Sequence, residues 1–220
     1  MEKVKFIKLT DWALLPMKEI VSNEQFDDAA FRWNKKRRVK GACWPYKMAK
    51  EIGWTVFSSI DVEIHPVTEM QVQCKNQYEL EELHSLTDID FWVKRDQGYI
   101  GVKPDGWFRV HQAKVDGVWQ CMFIPNGEGS FEWKLGWGIE IPDDYMLLFQ
   151  PLENQEAFIV HPGLLPAKRL STFNRGLGLP IAFEPKTKKT IRRGDPIAKL
   201  LVLHKSAMSL NEEIIDKTNK

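Results

Sequence analysis

The longest near-continuous apolar run lies late in the chain, where Ile197, Ala198, Leu200, Leu201, Val202 and Leu203 are interrupted only by Lys199. Such a run predicts a strand buried over most of both faces. It is entered through Gly194-Asp195-Pro196: glycine frees the backbone, aspartate can close a local side-chain turn, and proline fixes φ where the strand begins. Shorter apolar runs predict further strands over 131–141, 145–151, 157–160 and 179–183. Turns at Pro142-Asp143-Asp144, Glu153-Asn154-Gln155 and Arg175-Gly176-Leu177-Gly178 divide them. Between Gln71 and Gln120 the pattern alternates in short runs broken at Asp96-Gln97-Gly98, Pro104-Asp105-Gly106 and Asp116-Gly117, the spacing of a meander or sandwich. Glu79 to Leu83 suggests a single helical turn, and Gly127-Glu128-Gly129-Ser130 a hairpin turn.

The first third is patterned differently. An edge strand is predicted over 4–9, and a helix over 25–34 capped by Asn23. Pro45 opens a short helix whose apolar stripe is Met48, Ala49 and Ile52, with Gly53 as its stop. A strand follows over 54–64 with Ser58-Ser59 as a possible bulge. At the other end, 206–220 predicts a short helix capped near Ser209 and a polar tail. The expectation is a mainly β protein with one or two N-terminal helices, forming one domain over 1–220. Within it, 1–70 is a helix-containing embellishment, 71–205 the β core and 206–220 the tail.

Composition narrows the function classes. The 220 residues hold 43% hydrophobic and 28% charged side chains, ordinary for a globular chain. Lysine and arginine number 31 against 30 acidic residues. That balance argues against a whole-protein grip on nucleic acid, although Lys35-Lys36-Arg37-Arg38 with Lys40 forms a local basic cluster. Cys43, Cys74 and Cys121 are widely spaced and odd in number, which suits free thiols in a reducing, cytoplasmic setting. No window reaches the ~20 apolar residues of a membrane helix. The nine tryptophans read as core and edge residues of a β protein rather than as stacking platforms.

Candidate chemistry is sparse. His65, His84, His111, His161 and His204 show no metal-ligand spacing, so neither metal nor cofactor is expected. Cys43, before a proline-started helix, reads as a packing thiol, with a reactive thiolate as the alternative. The segment 161–175 is the candidate binding surface. It gathers His161, Lys168, Arg169, Ser171, Thr172, Asn174 and Arg175 among glycines and prolines. Loops on rigid scaffolds carry binding residues, and arginines with amide and hydroxyl neighbours suit a phosphate or carboxylate.

Two blocks carry a resemblance. One runs from Gly41-Ala42-Cys43-Trp44-Pro45-Tyr46 to Gly53-Trp54 and Ser58-Ser59. The other runs from Trp137-Gly138-Ile139-Glu140-Ile141-Pro142-Asp143-Asp144-Tyr145 through Pro151-Leu152-Glu153-Asn154 to Gly194-Asp195-Pro196-Ile197-Ala198. Together they resemble an uncharacterised family of bacterial and tailed-phage proteins. The second block also resembles the β-clip enzymes, dUTPases and dCTP deaminases. The resemblance implies a β-clip-like barrel or sandwich, with a jelly roll as the alternative. It also implies a homo-oligomer, most simply a trimer. It does not carry over the dUTPase chemistry: at Gly163-Leu164-Leu165-Pro166-Ala167-Lys168-Arg169 the catalytic aspartate and tyrosine of dUTPases are missing. Leu148-Phe149-Gln150-Pro151 likewise stands where their phosphate-binding motif belongs. The expected function is therefore a non-catalytic or accessory protein, phage-encoded, that binds a small anionic, nucleotide-like ligand or a protein partner. The alternatives are a nucleotide diphosphohydrolase or deaminase, and a virion structural or host-interaction protein.

Overall fold

The structure, a computed structural model, describes residues 3–19, 44–73, 77–96, 98–103 and 106–215. In chain order its elements begin with β1 (Lys5–Lys8), α1 (Trp44–Glu51), β2 (Trp54–Phe57), β3 (Val62–Ile64), β4 (Glu69–Val72) and α2 (Gln77–Thr87). There follow β5 (Phe91–Arg95), β6 (Gly98–Val102), a 3-10 turn (Trp107–Val110), β7 (Gln112–Val115), β8 (Val118–Cys121), β9 (Phe123–Gly127) and β10 (Ser130–Lys134). Next come β11 (Trp137–Glu140), β12 (Tyr145–Gln150), β13 (Phe158–Val160), β14 (Gly163–Pro166), α3 (Ala167–Leu170) and a second 3-10 turn (Ser171–Phe173). The last are β15 (Pro180–Pro185), β16 (Lys189–Ile191), β17 (Pro196–His204) and a third 3-10 turn (Lys205–Met208). The chain is mainly β, as its pattern predicts. Among the described residues every strand pairing is antiparallel.

Two four-stranded sheets, β13-β15-β10-β9 and β14-β12-β17-β2, form the frame, and smaller sheets are built around them. Alternation decides the first sheet's buried face. Phe123, Phe131, Trp133, Phe158 and Phe183 turn inward; Phe123, Phe131 and Phe183 pack around Trp107, and Trp133 and Phe158 pack on Phe183. The rings meet edge-on or tilted, with Trp107 4.8 Å from Phe123 and 5.2 Å from Phe131, the geometry aromatic quadrupoles favour. Trp107 satisfies its indole N–H on the His65 carbonyl at 2.7 Å. Trp107, Trp133 and Trp137 are thus core residues, whereas Trp119 is largely exposed.

Long predicted strands are divided where the chain changes sheets. The stretch 131–141 breaks into β10 and β11 at Leu135-Gly136. Gly136 has φ +78, and a Cβ there would lie 2.5 Å from the Thr10 hydroxyl, so only glycine fits. Its carbonyl accepts from the Leu9 and Thr10 N–H groups, which brings β1 alongside β11. The stretch 54–64 breaks at Ser58-Ser59, both buried. There the Ser59 hydroxyl accepts from Leu14 N–H at 3.0 Å and donates to the Leu135 carbonyl at 3.3 Å.

Other expectations are corrected. α2 runs over eleven residues, not one turn; its half-buried stripe is Leu80, Leu83 and Thr87, and the threonine hides the period from an apolar count. The predicted stripe of α1 faces outward, with Met48 and Ile52 about half exposed. No helix forms at Ser209, which instead ends the third 3-10 turn, its N–H donating to the Ser206 carbonyl. β14, α3 and β16 occupy segments expected to be connections. The predicted turn before β17 is present: Asp195 accepts from Arg192 N–H at 2.8 Å. The closing strand is fully buried at Ile197, Ala198 and Leu200, but only half-buried from Leu201 to Leu203.

Candidate functional site

The predicted surface over 161–175 is built on the edge of the second sheet. β14 pairs with β12, Leu147 opposite Leu165, and delivers the chain through Pro166 into α3. Leu170 buries its side chain and anchors the turn. The Ser171 hydroxyl donates back to the Lys168 carbonyl at 3.2 Å and the Thr172 hydroxyl to the Arg169 carbonyl at 2.7 Å. Asn174 reaches across to β11, where its side-chain oxygen accepts the Ile139 N–H at 2.9 Å. Ser171, Thr172 and Asn174 therefore hold the backbone in place. Lys168, Arg169 and Arg175 are exposed, and none makes an ion pair with a described residue.

His161 is turned elsewhere. Its backbone N–H donates to the Ala182 carbonyl at 2.8 Å, and its imidazole Nε2 lies 3.3 Å from a Glu184 carboxylate that also pairs with Lys186. It belongs with β13 and β15 rather than with the arginines.

No ion pair among the described residues links the acids nearest in sequence, Asp143, Asp144, Glu153 and Glu156, to the basic loop. Asp144 pairs with Lys205, whose hydrogen bond and charge hold its carboxyl below the usual carboxylate range. Arg193 is engaged elsewhere, donating its guanidinium to the Trp12 and Ser59 carbonyls and its backbone N–H to Asp61 at 2.8 Å. Among the described residues no group of three or more histidine, cysteine, aspartate or glutamate side chains is arranged to hold a metal ion. The basic cluster at 35–40, Cys43, Cys74 and the predicted helix 25–34 lie outside the described residues. No helix among the described residues is long and apolar enough to cross a membrane.

Two cavities open away from the loop. One of about 630 Å³ lies beside α2, lined by Leu80, His84, Asp90, Trp92 and Tyr99. Its Asp90 is committed to Arg109 at 2.7 Å, and that hydrogen bond depresses the carboxyl. Another sits over the second sheet, with Lys199 in its wall. Lys199 is the lone charge in the closing apolar run, a signal visible in the sequence but read there only as a measure of burial.

No family model matches the chain, and no curated protein does. Among solved structures it is similar to a dUTPase from phage phi11 of S. aureus, at 9% identity and a TM-score of 0.41, over 99% of this chain and 97% of that one. It is also similar to a Staphylococcus bacteriophage 80alpha dUTPase, at 9% identity and a TM-score of 0.40, over 100% of this chain and 99% of that one. So distant a likeness carries no activity or ligand to this chain.

Proposed function

We propose that this chain is a non-catalytic accessory protein, phage-encoded, whose 161–175 surface takes the anionic group of a small nucleotide-like ligand or of a protein partner. One observation carries the reading: Lys168, Arg169 and Arg175 are exposed cations on a backbone tied down by Ser171, Thr172 and Asn174. A fixed backbone reduces the ordering cost of binding, and unneutralised guanidiniums offer forked, charge-assisted hydrogen bonds. Ser171 and Asn174 act in this reading mainly by holding the loop, and His161 stands at its margin. A diphosphohydrolase or deaminase would need a carboxylate against this loop, and the ion pairs of the described residues bring none there. A β-clip course, a trimeric assembly and a cytoplasmic setting belong to the same proposal. Trp119, 64% exposed on β8, is a suitable anchor for a subunit contact.

Calorimetric titration of the whole chain against nucleotides, cyclic nucleotides and dicarboxylates tests the reading. A charged hydrogen bond is typically worth ~1.5–3 kcal/mol, so Arg169→Ala weakens binding roughly ten- to a hundredfold while the fold survives. Failure of the wild type to bind any of these anions, or equal binding by Arg169→Ala and Arg175→Ala, rejects it.

A further inference from the structure

The cleft over the second sheet is a second site, independent of the basic loop. Strand register builds its floor. Gln150 on β12 lies opposite Lys199 on β17, Lys199 lies opposite Thr55 on β2, and Thr55 makes a bridge to Met17. Residues directly opposite in antiparallel strands share a face, so these four form one row across the sheet, and all four line the cleft. An enclosed end of about 240 Å³ holds Lys199, Gln150 and Thr55. It opens into a wider part of about 550 Å³ walled by Met17, Phe57, Leu152 and Pro196. Glu19, Lys50, Thr55, Leu152 and Glu153 border both parts, so the two are continuous.

The polar end is chemically specific. The Lys199 ammonium donates to the Ala49 carbonyl at 2.7 Å and to the Lys50 carbonyl at 2.8 Å. A lysine has three N–H donors, so one remains for a ligand, on a head group already fixed in place. Glu19 and Glu153 line the same enclosed end as Lys199, yet neither forms an ion pair with it or with another described residue. Lys199 and these two carboxylates line one cavity without pairing, which leaves room for a molecule that carries both signs of charge.

We propose that this cleft binds a free α-amino acid with an apolar side chain: its carboxylate on Lys199, its ammonium toward Glu153 and Glu19, and its side chain against Met17, Phe57, Leu152 and Pro196. A simple anion would meet two unpaired carboxylates, and a simple cation would meet Lys199. The zwitterion satisfies both signs, and the apolar wall selects its side chain.

The test is calorimetry on the full chain with L-leucine, L-methionine and L-phenylalanine, then with isovalerate, which lacks the amine, and isoamylamine, which lacks the carboxylate. The expected result is a Kd below about 1 mM for at least one amino acid, with both half-ligands weaker by about tenfold or more. Lys199→Met should lose about tenfold or more. Glu153→Gln, at an exposed position that leaves folding intact, should weaken the amino acid about tenfold without weakening isovalerate. Absence of amino-acid binding by wild type, isovalerate binding as tightly as leucine, or unchanged binding by Glu153→Gln overturns the proposal.

Discussion

The cleft at Lys199 and the loop at 161–175 both present positive charge, and they do so by opposite means. In the cleft the side chain is confined: a central strand fixes where Lys199 stands, and two helix carbonyls fix where its ammonium points. In the loop the backbone is confined, by Ser171, Thr172 and Asn174, while Lys168, Arg169 and Arg175 extend into solvent. A fixed head group discriminates among ligands, because little remains to be ordered when one arrives. Solvated arginines on a rigid support are suited instead to a broad anionic partner, at the cost of ordering each long side chain. Density of charge along the sequence marks the second kind of site. The first kind is marked by a single charge where none belongs.

The largest expected effect separates the two regions at the level of the fold. Gly53, two residues past the end of α1, has φ +75, and a Cβ there would stand 2.2 Å from the Leu200 carbonyl oxygen. The contact is with backbone, which cannot swing aside. Gly53→Ala should therefore destabilise the protein by about 2–4 kcal/mol in urea denaturation, combining left-handed strain with the clash. It should also move the Ala49 and Lys50 carbonyls off Lys199. Arg169→Ala, in the loop, should stay within about 0.5 kcal/mol of wild type, as surface substitutions do. If Gly53→Ala costs less than about 1 kcal/mol, the packing of α1 against β17 is not what holds the cleft together.

What the sequence could show follows the same division. Period-two alternation and turn residues mark the β core well: on β10 and β15 the inward Phe131, Trp133 and Phe183 each have a charged neighbour, Glu132, Lys134 or Glu184. The hairpin at Gly127 to Ser130 and the turn closed by Asp195 are equally legible, since both depend on contacts within four residues. What escapes is decided by distant partners. At the breaks of Ser58-Ser59 and Leu135-Gly136 the backbone bonds to distant segments, at Gly194-Asp195 in the first case and at Leu9-Thr10, Leu177 and Leu179 in the second. The stripe of α1 faces outward, and the helix's last carbonyls accept from Lys199, a contact no apolar pattern records. The loop residues stand together in the sequence, yet their contacts divide. Asn174 belongs to β11 and His161 to Glu184 through contacts spanning 35 and 23 residues.

A second substitution sharpens the claim that the loop is a rigid support. Asn174→Ala removes the acceptor of the Ile139 N–H and leaves that part-buried donor unpaired, at a cost of about 1–2 kcal/mol. Asn174→Asp retains an acceptor oxygen and should recover most of that loss. Anion binding should weaken in the alanine variant although none of the three cations is altered. Urea denaturation and the same calorimetric titration read both effects. Full stability in Asn174→Ala would mean that the loop is held by Leu170 and the hydroxyl bonds alone.

The smallest effect is a pH dependence confined to the cleft. Burial, the largest cause, pushes the Lys199 ammonium below its ordinary value of 10.5; Lys50 adds to the fall, and Glu19 and Glu153 oppose it. A base whose pKa is depressed by folding binds fewer protons in the native than in the unfolded chain between its two pKa values. Unfolding free energy therefore rises with pH through that window, as the penalty on the buried charge is relieved. The neutral amine still donates to the Ala49 and Lys50 carbonyls, so the geometry is retained. Lys199→Met has no such titration. The stability of wild type minus that of Lys199→Met, followed by urea denaturation from about pH 7.5 to about pH 10, should shift toward wild type as pH climbs. Groups common to both proteins cancel in the difference. A flat difference would mean that Lys199 titrates alike in the folded and unfolded chain, and that the cleft confines it no more than the loop confines Arg169.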